Sequence, residues 1–138
     1  MKEVFADAGY WIAVFMPRDH LHGKAMQVSK TLGSCRLVTS EMVLVELLNA
    51  LSNCGTELRT TAADAVERLR RDANVSIVPQ SSSQFSAALK FYQRRADKNW
   101  SLTDCASFLI MEERAIQEAL AHDRGFQQAG FTALLRDD

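Results

Sequence analysis

Short apolar runs alternate with stretches of helical apolar spacing along the whole chain, and this alternation constrains the fold more than any other feature. Glu3-Val4-Phe5-Ala6 predicts a strand ending at Asp7. Leu21, Ala25, Val28 and Leu32 repeat at helical spacing and stop at Gly33. Arg36-Leu37-Val38-Thr39 predicts a second strand. Ser40 is placed as the N-cap of a helix over about 41–53 that is apolar nearly all round and is therefore expected to be buried. An amphipathic helix follows through Ala62, Ala65, Val66 and Leu69. Its Glu57, Asp64, Glu67 and Asp72 face Arg59, Arg68, Arg70 and Arg71 as an ordinary solvated surface. Val75-Ser76-Ile77-Val78 predicts a strand closed by Pro79. A helix with Phe85, Ala88, Leu89, Tyr92 and Ala96 on one face comes next. Ser101-Leu102-Thr103-Asp104 is a capping-box-like start to a helix over about 102–114. A weak strand over 116–121, a short helix over 124–129 and a last strand over 131–135 complete the series. Strictly alternating strands and helices imply an α/β fold with a mostly parallel central sheet and helices on both faces. In such sheets ligands bind outside the carboxyl ends of the strands.

A chain of 138 residues suits one domain, over 1–138, and 47% hydrophobic residues suffice for one core without disulfide or metal staples. No apolar run reaches the roughly 18 residues of a membrane span, and Met1–Phe5 has no secretory signal pattern. Cys35, Cys54 and Cys105 are odd in number and lack CxxC spacing, which predicts reduced thiols and a cytoplasmic location. A net charge of −1 removes any compositional argument for strong nonspecific binding to nucleic acid, though not for a local basic patch.

Four acids do not suit their surroundings. Asp7 closes the first strand. Glu46 lies among Met42, Val43 and Ala50 on the most apolar helix, where an unpartnered carboxylate is costly to bury. Asp104 stands at a helix start, and Asp123 ends the weak strand. Helix caps account for three of them singly, as N-caps at Asp7 and Asp123 and as a capping-box acid answering Ser101 at Asp104. A parallel sheet, however, brings strand ends and helix starts to one edge, so these carboxylates converge there. Like charges that close are destabilising unless a cation compensates, and oxygen-only donors suit Mg²⁺ or Mn²⁺. His20, His22 and His122 form no competing cluster and are expected as surface or loop residues.

The segments Val4–Asp7, Thr39–Glu46, Ser101–Ser107 and Asp123–Phe131, in that order and spacing, resemble a PIN domain, most closely the VapC-type toxins of bacterial toxin–antitoxin pairs. The resemblance covers nearly the whole chain. It implies a Rossmann-like α/β/α sandwich acting as a metal-dependent endoribonuclease. Asp7, Glu46, Asp104 and Asp123 map onto the family's acidic quartet. Asp7 and Asp104 would hold Mg²⁺ or Mn²⁺ directly, with Glu46 and Asp123 completing the shell partly through water. The resemblance also implies a homodimer and a cognate antitoxin that silences the enzyme. Two departures stand out: Ala8 occupies a place where the family often has Thr or Ser, and Glu118–His122 is less apolar than the usual run before the fourth acid.

RNA phosphates need cations. Lys90, Arg94, Arg95 and Lys98 against Asp97, with Tyr92 and Trp100 nearby, form the best candidate patch, and Arg124 follows Asp123 directly. Trp11 fits either the core or a dimer face. Cys105 is expected as a packed apolar residue rather than a nucleophile. Haloacid-dehalogenase-type phosphatases need an acid two residues after the first Asp, where this chain has Gly9. Receiver domains need an Asp after the third strand, where it has Pro79-Gln80. Two further alternatives are a non-catalytic RNA- or protein-binding module on the same scaffold and a PIN-type nuclease that is not a toxin.

Overall fold

A computed structural model describes all 138 residues. In chain order the elements are β1 (Lys2–Ala6), α1 (Ala8–Phe15), α2 (His22–Thr31), β2 (Cys35–Ser40), α3 (Glu41–Ala50), α4 (Thr56–Arg71) and β3 (Val75–Val78). Then follow α5 (Ser82–Arg94), α6 (Leu102–Glu113), β4 (Glu118–Leu120), α7 (Arg124–Gln128) and β5 (Thr132–Ala133). The five strands form one sheet in the order β3-β2-β1-β4-β5, and every pairing is parallel. The α/β alternation expected from the sequence is therefore present, and the sheet is parallel throughout.

The order reverses at β1. The chain steps outward from β1 to β2 and β3, then returns to the far side of β1 for β4 and β5. Right-handed crossovers in opposite directions put the connecting helices on opposite faces of the sheet. They also open a crevice between the carboxyl ends of β1 and β4. Central strands covered on both faces are apolar on both faces, and Val4, Phe5 and Ala6 of β1 are fully buried. Phe5, Phe108 and Phe126 bring the sheet, α6 and α7 into one aromatic contact chain.

Several boundaries differ from expectation. α3 stops at Ala50 because Ser52 Oγ bonds back to the Asn49 carbonyl at 2.8 Å, and Gly55 leads into α4 with φ near +101°. β5 shrinks to two residues, since β4 offers only three to pair with, and the chain turns so that Leu135 packs into the core. α1, not assigned as a helix from the sequence, fills Ala8–Phe15. α3 is not buried all round: Val43, Leu44 and Leu47 are inside, whereas Val45 is 54% exposed.

Thr39 locks the end of the central strand. Its hydroxyl donates to the Ala6 carbonyl at 2.9 Å and accepts from the Trp11 indole N–H at 3.2 Å, all within the core. Trp11 is thus a core residue. Thr39→Val keeps the shape but leaves two buried polar groups without that partner. The variant is expected to lose about 1–3 kcal/mol of stability, read as a lower urea midpoint at unchanged slope.

Candidate active site

Asp7 follows β1 at the mouth of the crevice, and its N–H donates to the Leu120 carbonyl of β4 at 3.2 Å. It holds the N-cap position of α1, yet its side chain makes no cap hydrogen bond. It is only 9% exposed, and Oδ1 is buried with no hydrogen-bond partner. Burial is the main cause that pushes its pKa up to about 7. The Ala8 amide pulls the other way, and the charges of Asp104, Glu46 and Asp123 raise it further.

Asp104 is also buried, in the first turn of α6. It completes a capping box with Ser101: Ser101 N–H donates to Asp104 Oδ2, and Asp104 N–H donates to Ser101 Oγ, both at 3.0 Å. The box consumes one carboxylate oxygen and leaves Oδ1 outside it. Burial again leads in raising this pKa to about 6. Hydrogen bonds from Ser101 oppose it, and the charges of Asp123 and Glu46 add to it.

Glu46 is exposed, which corrects the expectation of a non-solvated face: it stands on the open side of α3 beside Val45. Its charge nonetheless reaches Asp7 and Asp104. Asp123 is exposed as well and caps α7, accepting from the Gly125 N–H through Oδ1 at 2.8 Å. The cap roles of Asp104 and Asp123 therefore coexist with their convergence on Asp7. None of the four acids is in an ion pair with the protein's own cations. Their convergence is electrostatic rather than coordinating, since no three acid, histidine or cysteine side chains stand at ligating spacing. The donor set still fits a hard divalent cation. It is all oxygen, it contains an orphaned buried carboxylate oxygen, and it carries uncompensated like charge.

The expected RNA contacts are dispersed. Arg95 is held by Asp97 through two 3.0 Å bonds and lies over the Trp100 ring at 4.8 Å. Trp100 is 5% exposed and is no open stacking platform. Arg94 is exposed and lines a groove of about 750 Å³ between α5 and α6, together with Glu112 and Glu113. Lys98 lines a smaller pocket of about 350 Å³ with Tyr92, Asn99 and Cys105, next to the start of α6. Arg124 pairs with Asp138 at 3.3 Å. Cys105 is buried as expected. His20 and His122 are exposed and meet edge to face, while His22 Nδ1 lies 2.6 Å from the Ala13 carbonyl oxygen. Sequence reasoning missed the packing role of Trp100. The available signal was its place just before an N-cap, where an apolar residue staples a helix start.

The PIN domain family profile matches residues 4–132. Two curated relatives, each named 23S rRNA-specific endonuclease VapC20, come from Mycobacterium tuberculosis strains CDC 1551 / Oshkosh and ATCC 25618 / H37Rv. Each is 29% identical over 129 residues, covering 93% of this chain and 95% of the relative. The crystal structure of Mycobacterium tuberculosis VapC20, described as a sarcin-ricin loop cleaving toxin, superimposes with a TM-score of 0.83 at 27% identity. That match covers 94% of this chain and 96% of the other.

The raised carboxyl pKa values have a consequence for the metal-free protein. Between the ordinary value of 3.8 and about 7 the unfolded chain ionises Asp7 while the folded chain keeps it protonated. Stability from this group is therefore complete below about pH 4 and is lost as pH rises through 7. Asp7→Asn is expected to match the parent near pH 4 and exceed it at pH 8 by on the order of 1–3 kcal/mol. Urea denaturation of both proteins in EDTA across this range measures the difference.

Proposed function

This chain belongs to the PIN domain family, and on that premise we propose that residues 1–138 form one nuclease domain that hydrolyses RNA phosphodiesters as the toxin of a toxin–antitoxin pair. The observation that carries the reading is Asp7: a buried carboxylate with an orphaned oxygen, surrounded by three more carboxylates and no protein cation. Beyond the caps that Asp104 and Asp123 lend to α6 and α7, this arrangement costs stability as a structural device once its acids ionise. As the seat of a cation, its oxygen donors and the orphaned oxygen of Asp7 are of the right kind. The relatives' endonuclease names support the same activity, and a ribosomal RNA loop is the substrate class we carry over from them.

Asp7 and Asp104 would hold the ion directly, with Glu46 and Asp123 completing the set partly through water. We assign Mg²⁺ or Mn²⁺ on the hardness of the donors. Such an ion supplies Lewis acidity toward the phosphate and lowers the pKa of an attacking water. The chain's own residues do the rest. Ser101 fixes one oxygen of Asp104 and leaves the other for the ion. The Gly125 N–H does the same for Asp123. Glu46 and Asp123, on the solvent side, meet the incoming water and RNA. Exposed Arg94 and the pocket at Lys98 are offered to flanking phosphates. Arg124 joins them once released from Asp138, whereas Arg95 serves to hold the Trp100 ring. No protein nucleophile is invoked.

We further assign a homodimer, a cytoplasmic site of action and an antitoxin partner. The apolar groove between α3, α4 and β3, about 610 Å³ and lined by Leu44, Val45, Leu48, Val66 and Ile77, is a surface such partners can cover. No helix is long and apolar enough to cross a membrane.

Incubating the purified chain with an RNA hairpin of the sarcin-ricin type is expected to give cleavage with Mg²⁺ or Mn²⁺ and none with EDTA. Asp7→Asn and Asp104→Asn should each lose more than the roughly 10–100-fold typical of an outer-shell partner. Cleavage that persists in EDTA, or in both variants, would falsify the reading. Because ligating carboxylates must ionise, Mn²⁺ affinity should rise by roughly tenfold between pH 6 and pH 8, with protons released at the lower pH. Calorimetry in buffers of different ionisation enthalpy measures both; a flat affinity would remove Asp7 and Asp104 from the ligand set.

A further inference from the structure

We propose that Gly125 and Trp100 are positioning residues for Asp123: a buried indole and a position without a side chain together set where this carboxylate stands relative to Asp104. The inference rests on the nuclease reading of the acidic cluster and adds two residues that reading does not use.

Gly125 is not a glycine for backbone reasons. The glycines with positive φ are Gly33, Gly55 and Gly130, whereas Gly125 lies within α7. Glycine is a poor helix residue, so its presence there calls for another cause. Space supplies it. A Cβ at 125 would stand 3.2 Å from Asp123 Oδ1, 3.2 Å from Trp100 Cδ1 and 3.4 Å from Trp100 Nε1. At the other five glycines an added Cβ meets nothing within 4 Å. The glycine that caps onto Asp123 is therefore also the one where a Cβ would be crowded, so that a neighbour must give by a few tenths of an ångström.

Trp100 cannot swing aside to make room. Its Nε1 donates to Gln128 Oε1 at 2.8 Å, on the last residue of α7. Its ring packs edge-on against Phe91 of α5 and Phe108 of α6, with centroids 5.8 and 5.0 Å away. The Arg95 guanidinium covers it and is itself fixed by Asp97. With the indole held on these sides, the Asp123 carboxylate is the neighbour that gives way to an added methyl, by a few tenths of an ångström. A helix of five residues also has little stability of its own, so α7 takes its place from packing. Trp100 directly precedes Ser101, the residue that holds Asp104. One side chain thus spans the supports of two carboxylates and fixes their spacing.

The test is a double-mutant cycle read by Mn²⁺ titration calorimetry and by steady-state cleavage. Gly125→Ala is expected to weaken Mn²⁺ binding by roughly 10–100-fold, the range for a partner that orients a ligand. It should lower kcat with KM for RNA little changed. In an Asp123→Ala background the same substitution should cost less than about twofold, because no carboxylate is left to displace. Should Gly125→Ala fail to fold, Gln128→Leu, at an exposed position, removes the indole's acceptor. It should weaken Mn²⁺ binding in the same direction, again only while Asp123 is present. Parent-like Mn²⁺ binding by the folded variant, beside an Asp7→Asn control that has lost it, overturns this inference and leaves the nuclease reading intact. Equal losses with and without the Asp123 carboxylate also overturn it, reducing Gly125 to a packing role. If Asp7→Asn binds Mn²⁺ as the parent does, the nuclease reading falls and this inference with it.

Discussion

Desolvation of Asp7 and Asp104, with repulsion among four carboxylates added to it, is the constraint on which the rest of this molecule turns. Asp7 sits where the central strand ends, and three more acids face it without a compensating lysine or arginine. Beyond the helix caps that Asp104 and Asp123 provide, nothing in that arrangement stabilises the ionised cluster, so the surrounding structure must hold it in place. The means are visible next door. β1 is buried on both faces, Thr39 ties its last carbonyl to Trp11, and the Phe5, Phe126 and Phe108 rings join the sheet to the helices that carry Asp104 and Asp123. Rigid apolar packing fixes the backbone from which each acid projects, and the acids can then be placed for chemistry rather than for stability.

The four carboxylates divide by burial. Asp7 and Asp104 are inside and pushed toward neutrality, whereas Glu46 and Asp123 face water. A buried acid gains most from a cation, because the ion replaces solvation that burial removed. An exposed acid gains less from direct contact and is better placed to meet a water or substrate. Caps refine this division. Ser101 and the Gly125 N–H each satisfy one oxygen of an aspartate, so these two side chains are oriented before any ligand arrives. Asp7 has no such cap, and its orphaned oxygen makes it the group with most to gain from a bound ion.

Much of this was legible in the residues. The strand–helix alternation gave away the parallel sheet, because each period is local and short connections leave few topologies. Ser40, Ser101 and Asp123 are helix caps in the structure, as their side chains allow. Misreadings arose where tertiary packing overrides local pattern. Glu46 looked buried because its helical neighbours are apolar, but α3 packs only one of its faces and leaves Val45 and Glu46 outside. Trp100 looked like an exposed aromatic among cations, whereas three helices close around it. Arg95 looked like one of the RNA contacts, whereas Asp97, two residues on, takes the Nε–Nη2 edge of its guanidinium. Which partner a long side chain chooses is set by geometry that spacing does not encode.

The cation pairing carries an implication for recognition. Seven of the sixteen lysines and arginines stand in ion pairs, among them Arg95 with Asp97 and both Arg124 and Arg136 with Asp138, and nine do not, among them Arg94 and Lys98. Broad electrostatic attraction to nucleic acid scales with the number of phosphates neutralised, and a net charge of −1 supplies no overall bias toward it. A phosphate backbone approaching the acidic crevice also meets repulsion from the very groups that would hold the ion. On the nuclease reading, a folded RNA whose shape brings one phosphate past the acids while its flanks reach Arg94 and the pocket at Lys98 would use the cations nearest the site. Structured RNA is recognised largely through shape and splayed bases.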